Sequence, residues 1–352
     1  MSTREGRSVI VYVVAALAVA TLAGGLVYVA FFLSAAQSAK LASVFEPNRW
    51  RVHGATVVGR ASAQSLLVVD ALRVRGRGGR EHVRLRIVSL ANGAVAAERV
   101  EHANVSDVEV IGSDAEVVWL SGLGAGPSAA RVSSLETTLT PEQVRAADPS
   151  LAEGPVRVAF DEQRGLVALG RDGRWRAVDA RGRATPTDAP ATERNEHEGG
   201  AATSTWASRA VVPASNRTLT VVGGPGEQHL EGLGEGTGAT GRPAFLGAAI
   251  AVVRGSALVL RDPESVLVRH GSSLGERSRL RLSRVATDGR ALWQLDVVAT
   301  PAWPSSGDHL VSAFALGQDV VLVVEEREGE RAAVHVVRID CAHGTRRFAA
   351  RL

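Results

Sequence analysis

The C-terminal sequence VVRIDCAHGTRRFAARL, residues Val336–Leu352, carries the clearest indication of the fold. An apolar run that predicts a β-strand is followed by a polar turn centred on Gly344, and Phe348 comes four residues after that glycine. The upstream stretch LSRVATDGRALWQLDV repeats the pattern, with Gly289 in its turn and Trp293 four residues later. A strand, a tight glycine turn and a second strand predict a β-hairpin, and its ring is expected to pack between sheets.

Two further stretches share parts of this pattern. LRIVSLANGAVAAERV, residues 85–100, keeps the strand and the turn glycine, Gly93, but has Ala97 where the ring should stand. GLVALGRDGRWRAVDARGRA, residues 165–184, is a looser relative. Internal repetition of a strand-turn-strand unit is typical of proteins built from repeated sheets.

The repeats resemble the tryptophan-bearing repeats of quinoprotein-like (PQQ-type) β-propellers, in which the last strands of a blade read strand-Asp-x-x-x-Gly-x-x-x-Trp. Asp340, Gly344 and Phe348 follow that pattern with Phe in place of Trp, whereas the copy that carries Trp293 has Val285 at the Asp position. The resemblance implies a β-propeller with PQQ-like repeats. Its structural repeat positions in this chain are Gly93, Gly289, Trp293, Asp340, Gly344 and Phe348.

Short apolar runs bounded by turn residues continue along the chain from Leu41 onwards and predict an all-β domain. The predicted strands are Ser65–Val69, Val83–Ser89, Val108–Ile111, Glu116–Leu120, Leu166–Leu169, Trp175–Val178, Leu219–Val222, Ala249–Val253, Ala257–Leu260, Val266–His270, Leu280–Val285, Leu310–Leu316, Val320–Val324 and Val334–Ile339. A β-propeller of about six or seven blades fits their number, and a β-sandwich pair is the alternative.

The N-terminal part of the chain predicts one transmembrane helix over residues 9–34. No charged residue lies between Ser8 and Ala39, and an apolar run of 25 residues spans about 37 Å as a helix. A cleaved signal peptide is the alternative, but its apolar region is normally only about 7–15 residues long. We therefore expect an uncleaved signal-anchor.

We expect residues 1–8 to form a cytoplasmic tail and residues 45–352 to form the extracytoplasmic, periplasmic domain of a bacterial inner-membrane protein. Basic residues flank the span on both sides, so they do not decide its orientation, and the expectation rests on the likeness to an export signal. The bacterial source is inferred from composition, because Lys40 is the single lysine among 40 basic residues.

Two features interrupt the strand pattern. Thr140-Pro141-Glu142-Gln143 predicts the start of a short helix with a capping box, and Pro149 should end it. Residues 183–218 are rich in Pro, Thr, Ser, Gly and Ala, and we expect them to form a long flexible insertion.

The sequence assigns no catalytic, cofactor-binding or metal-binding residue, and no cofactor is expected. A quinone dehydrogenase needs a bound ion and often a vicinal disulfide, whereas Cys341 is the only cysteine. The nine histidines form neither a His-Glu-x-x-His motif nor, with cysteine, a zinc motif. Gly236–Gly241 matches the GxGxxG spacing, but no strand closely precedes it and no helix is expected after it.

The densest basic run is Arg73–Arg80, followed by Arg84 and Arg86. It has two interpretations: a hairpin tip that binds phosphate or lipid headgroups, or a strand in which arginines alternate with Val and Leu on one solvated face. The second is the simpler expectation.

These observations together predict a single-pass membrane protein whose propeller is a binding or scaffold module. An envelope-assembly factor and an enzyme with carboxylates in the propeller channel are the alternatives. The expected partners are membrane lipid, through residues 9–34, and an unidentified protein, with no nucleic acid.

Overall fold

The computed structural model describes residues 50–59, 64–73, 81–190, 206–207, 209–212, 217–222, 229–231, 251–253, 265–272, 278–286 and 290–352. In these residues the chain is all-β. The strands are β1 (Arg51–Val58), β2 (Ser65–Arg73), β3 (Glu81–Ser89), β4 (Val95–His102), β5 (Glu109–Ser113), β6 (Val117–Ser121), β7 (Ser128–Arg131), β8 (Thr137–Leu139), β9 (Arg157–Asp161), β10 (Gly165–Leu169), β11 (Trp175–Val178), β12 (Ala184–Thr187), β13 (Trp206–Ala207), β14 (Arg209–Val212), β15 (Arg217–Val222), β16 (His229–Glu231), β17 (Ala251–Val253), β18 (Ser265–Gly271), β19 (Leu280–Ala286), β20 (Ala291–Asp296), β21 (Gly307–Leu316), β22 (Asp319–Glu328), β23 (Arg331–Asp340) and β24 (Thr345–Arg351).

The described strands form six antiparallel sheets in chain order. Sheets 1, 2, 3 and 6 each contain four consecutive strands, β1–β4, β5–β8, β9–β12 and β21–β24. Sheet 4 contains β14–β16, and sheet 5 has the order β13-β17-β18-β19-β20. Each four-stranded sheet is therefore a meander made from one continuous stretch of chain, as in a propeller blade.

Contacts link sheets 1, 2 and 3 in chain order, link sheets 4, 5 and 6 in chain order, and return from sheet 6 to sheet 1. The first strands β1, β5 and β9 contact each other in succession, β14 contacts β17, and β19 contacts β21. Sheet 6 finally meets sheet 1, where β21, β22 and β23 all contact β1. This is the arrangement of a β-propeller. Six separate sheets do not fit the alternative of a β-sandwich pair.

Apolar cores lie between neighbouring sheets, so the central strands are buried on both faces. One core lies between sheets 1 and 2 and includes Leu85 and Val118, and a second lies between sheets 2 and 3 and includes Trp119 and Leu166. Others join sheet 5 to sheet 6 and sheet 6 to sheet 1. Strand β22 consequently has eight buried residues in succession, of which the five from Val320 to Val324 are apolar.

One short helix, α1 (Pro141–Ala146), lies between β8 and β9 and confirms the predicted capping box. The Thr140 hydroxyl accepts from the Gln143 backbone N–H, while the Gln143 side chain accepts from the Thr140 backbone N–H at 2.8 Å. A 3₁₀ turn at Pro149–Leu151 follows it. No helix in the described part of the chain is long and apolar enough to cross a membrane. The predicted tail and span, residues 1–34, lie outside the described residues.

The prediction of one loop over residues 183–218 is wrong in several places. Strands β12, β13 and β14 and the start of β15 all fall within it. Short strands form there because their backbones find partners: Trp206 pairs with Val253, and Val211 pairs with Thr218. Residues 191–205 of this segment lie outside the described residues.

Candidate functional site

The glycine turns of the sequence repeat have one geometry in several sheets. In sheet 6 the Gly344 N–H donates to the Asp340 carbonyl at 2.9 Å, and in sheet 1 the Gly93 N–H donates to the Ser89 carbonyl at 2.8 Å. Both glycines have a positive φ, +66° and +76° respectively, a region that residues with a side chain rarely adopt. The turn thus explains why glycine stands at this repeat position.

A β-bulge follows each of these turns in the fourth strand of its sheet. In β24 the ladder pairs Arg338 with Phe348 and Ile339 with Arg346, so Arg347 is the extra residue. The same irregularity leaves out Ala96 in β4, Thr138 in β8 and Leu292 in β20. A bulge turns the following side chain. The residue after each bulge is the ring position of the repeat.

The two aromatic residues at ring positions, Trp293 and Phe348, each pack on the glycine turn of the next sheet. An added Cβ at Gly344 would lie 2.5 Å from the ring of Trp293, and one at Gly93 would lie 2.7 Å from the ring of Phe348. The Trp293 indole N–H also donates to the Cys341 carbonyl at 3.2 Å. Five of the six predicted repeat positions therefore lie in a contact between two sheets or in a turn within one sheet. The sixth, Gly289, lies outside the described residues.

Sheet 2 contains a variant of this repeat that the sequence analysis missed. Leu135 occupies the glycine position, with its N–H bonded to the Arg131 carbonyl at 2.8 Å, and it is the only described non-glycine residue with a positive φ, 58°. Leu139, four residues later, packs on Gly182 of sheet 3, where an added Cβ would lie 2.9 Å from it. The spacing of four residues was the available signal, but neither a glycine nor a ring marked it.

The repeat aspartate, Asp340, holds the turn of sheet 6. Its carboxylate accepts from the Ala342 backbone N–H at 2.8 Å and from the Arg347 guanidinium at 2.7 Å. Burial alone would raise the pKa of Asp340, but hydrogen bonds from His343 and from the Ala342 N–H lower it below its usual value. Asp340 therefore acts as a fixed anion within the turn.

The joint between sheets 6 and 1 is tied by charged groups at both ends of the sheets. At one end the fully buried Glu325 carboxylate accepts from the Val52 backbone N–H at 2.8 Å and from Arg51 at 3.2 Å. At the other end Arg338 is paired with Asp319 at 2.6 Å and donates to the Leu90 carbonyl at 2.7 Å. Apolar residues fill the space between these ends.

The expectation that Arg84 and Arg86 lie on a solvated strand face is wrong. Their face of sheet 1 packs against sheet 6, and only 2% of the Arg86 side chain is exposed. Both guanidiniums bind the fully buried Asp70 carboxylate, at 3.0 and 2.7 Å. Burial lowers the pKa of Arg86, and Asp70 opposes that effect. Both faces of β3 are therefore covered, and the arginines on one of these faces are paired with Asp70.

The joint between sheets 5 and 6 is built around Glu326, whose side chain is fully buried. Its carboxylate accepts from the backbone N–H groups of Ala302 and Trp303 at 2.7 and 3.2 Å, and from Arg279 at 3.0 Å. The Ser306 hydroxyl and the His335 imidazole complete this set. Burial alone would raise the pKa of Glu326, but the hydrogen bond from Ser306 and those from the backbone lower it to about 2.

These groups do not form an arrangement for nucleophilic catalysis. Ser306 and His335 both bond to Glu326, so the carboxylate lies between the hydroxyl and the imidazole. Cys341 is fully buried, and burial raises its thiol pKa to about 12, which removes the reactive thiolate. Within the described residues there is no group of three or more His, Cys, Asp or Glu side chains able to hold a metal ion. What the arrangement does chemically is to fix charges between sheets.

Comparisons with known proteins give distant likenesses. No family model matches the chain, and no curated protein is found similar to it. The crystal structure of BamB from Moraxella catarrhalis is similar over 83% of this chain and 83% of that one, at 12% identity and a TM-score of 0.22. The β-propeller domain of the Trilobed protease from Pyrococcus furiosus, described as having an open velcro topology, is similar over 84% of this chain and 92% of that one, at 10% identity and a TM-score of 0.24. Superpositions this poor say nothing of function, and the fold rests on the order and contacts of the sheets themselves.

Proposed function

We propose that this chain is a single-pass membrane protein whose β-propeller serves as a binding or scaffold module on the extracytoplasmic side of a bacterial membrane. The apolar run over residues 9–34 supports the membrane part of the proposal, and the sheets support the scaffold part.

One observation carries the scaffold role: the repeat residues and the buried charges of the described sheets lie between neighbouring sheets. Trp293 and Phe348 pack on turns, while Glu325 and Glu326 bind backbone N–H groups across two joints. Contacts of this kind hold neighbouring sheets of the β-propeller rigidly together. The loops at its two ends are then free to vary, which is how propellers present binding surfaces.

The start of the propeller suits a tethered protein. Trp50 is 1% exposed, and Arg51 donates to the Gly329 and Arg331 carbonyls as well as pairing with Glu325. These contacts fix the start of the described chain, at residues 50 and 51, to the β-propeller. Residues 35–49 would connect it to the proposed span.

The membrane part is tested by fractionation. The full chain should stay in the membrane pellet after an alkaline carbonate wash, whereas a fragment starting at Phe45 should be soluble and give a β-dominated circular dichroism spectrum. Release of the intact full chain by carbonate would contradict the anchor.

The binding role is tested separately, by capture from detergent-solubilised membranes. The full chain is the bait, and residues 1–44 are the control for proteins that adhere to the apolar segment. Proteins retained by the full chain and absent from the control support a binding module. If the two baits retain the same proteins, the proposed role of the propeller is wrong.

A further inference from the structure

Two histidines face each other at one end of sheet 1. His82 lies at the start of β3 and His102 at the end of β4, and the strand register places them directly opposite. Their ring centroids are 5.4 Å apart and their planes are inclined by 50°. His82 is buried at 7% exposure, whereas His102 is exposed. The pair therefore has one ring inside the sheet joint and one ring open to solvent.

The distance between the rings is that of two imidazoles on one tetrahedral ion. A zinc-bound imidazole nitrogen lies about 2.0–2.1 Å from the metal, and the ring centre lies about 3.2 Å from it. Two such rings at an angle of about 109° have their centres about 5.2 Å apart. The observed 5.4 Å differs little from this value.

The surroundings of the pair hold the rings in place. Leu72 is directly opposite His82 on β2, and it forms an apolar cluster with Trp50 and Val100 next to the pair. On the same face Arg84 stacks over Trp50 at 4.5 Å and shares the Asp70 carboxylate with Arg86. Residues on paired strands supply a more precise site than residues on loops.

We propose that His82 and His102 bind a divalent transition metal ion of the zinc or copper class, with water in the other coordination positions. Imidazole nitrogen suits both metals, and the exposed His102 gives the ion its route in. Because the ion would join β3 to β4 beside the joint with sheet 6, it would stabilise the folded ring.

The test is thermal unfolding of the full chain, purified without a histidine tag, in the presence and absence of Zn²⁺. Saturating Zn²⁺ should raise Tm by about 2–4 °C, and His82→Gln and His102→Gln should each abolish the rise. His53→Gln and His343→Gln are matched controls, since both histidines are exposed, and each should keep the full rise. With Cu²⁺, electron paramagnetic resonance should show two equivalent nitrogen ligands.

The absence of a Zn²⁺ effect on the unsubstituted chain would overturn the proposal. A rise that persists in His102→Gln, or that disappears in His53→Gln or His343→Gln, would place the ion elsewhere and overturn it too. His102 is exposed, so its variant should fold, and an unchanged Tm without metal would show that it does.

Discussion

Trp293 of sheet 5 lies on Gly344 of sheet 6, so close that a Cβ at position 344 would come within 2.5 Å of the indole. The same relation joins Phe348 to Gly93 and Leu139 to Gly182. Each pair consists of the residue after a bulge in one sheet and a turn glycine in the next. The turn glycine is therefore needed for two reasons, its positive φ and the lack of space for a Cβ. Mutations can measure the two effects separately.

Gly344→Ala should destabilise the protein more than Gly173→Ala. Both glycines have a positive φ, +66° and +76°, but an added Cβ at Gly173 would meet nothing within 4 Å. The strained backbone should cost about 1–2 kcal/mol in either variant, and crowding against Trp293 should add about 1–3 kcal/mol at Gly344 alone. Urea unfolding of the soluble fragment measures both. Equal losses would show that the packing of the Trp293 ring on residue 344 does not require the absence of a Cβ there.

Ala97 and Leu135 should compensate for each other. The ring position of sheet 1 is the small Ala97, and the turn position that follows it in sheet 2 is Leu135 in place of glycine, within one apolar core. Ala97→Phe alone should cost about 1–3 kcal/mol through overpacking. Combined with Leu135→Gly, its cost should fall by at least about 0.5–1 kcal/mol.

A double-mutant cycle measures this coupling. Ala96→Phe is the control, because Ala96 is the exposed bulge residue beside Ala97 and should show no coupling to Leu135→Gly. A purely additive cycle for Ala97 would mean that the side chains at positions 97 and 135 do not interact at the interface between sheets 1 and 2.

The sequence predicted the class of fold and the hairpin of sheet 6 because apolar runs, a turn glycine and a ring are all visible in residue types. It failed at Leu135, where tertiary packing imposes a backbone conformation that leucine does not favour. It also failed at Arg84 and Arg86, because alternating polar residues look the same whether their face is solvated or is buried beside a charge on the neighbouring strand. In the sequence, Glu325 and Glu326 open a charged run typical of a turn, whereas in the structure they are buried residues of β22 that pair with β23.

Glu326→Gln should be strongly destabilising. The carboxylate accepts hydrogen bonds from two backbone N–H groups and pairs with Arg279, so an amide NH₂ there would face donors, and Arg279 would keep Asp308 as its carboxylate partner. Each buried donor left without an acceptor costs about 1–3 kcal/mol. Glu328→Gln, at the partly exposed end of the same strand, should change the free energy of unfolding by less than about 1 kcal/mol.

The pH dependence of unfolding offers a second test of Glu326. Its folded pKa, about 2, is below its usual value of 4.5, so its stabilising effect is complete above pH 4.5 and is lost as the pH falls toward 2. Acid unfolding of the Glu326→Gln variant should therefore show a smaller loss of stability over that range. An identical acid profile in the two proteins would rule out this carboxylate as a contributor.

His335 should make the protein less stable as the pH falls below neutrality. Burial lowers the pKa of His335 below its usual 6.5, although the Glu326 carboxylate acts to raise it. The unfolded chain therefore takes up the proton more readily, and folding free energy is lost as the pH falls through 6.5. Because burial also lowers the pKa of His270 and His309, His335→Gln should reduce this dependence without abolishing it. Chemical unfolding at pH 7 and pH 5.5 measures the difference, and an unreduced slope in the variant would contradict the assignment.

Truncation after Gly344 should destabilise the β-propeller, because it removes part of the interface between sheets 6 and 1. The truncation removes β24, which pairs with β23 from His335 to Asp340, and it removes Phe348 from the Gly93 turn of sheet 1. Phe348 packs between sheets 6 and 1, but it is only half-buried, because it lies on the outermost strand of its sheet. Phe348→Ala alone should therefore cost less than the 3–5 kcal/mol typical of a fully buried ring, about 2 kcal/mol.

The truncated chain should lose clearly more than Phe348→Ala, because it also exposes the backbone edge of β23, which carries the N–H and C=O groups that β24 pairs. Thermal unfolding of the soluble fragment compares the two variants. If the truncation left Tm unchanged, the last strand would be an appendage, and closure between sheets 6 and 1 would depend on Glu325, Arg338 and the apolar core between the two sheets. If the truncation and Phe348→Ala cost the same, the contribution of β24 would reduce to a single aromatic contact with Gly93.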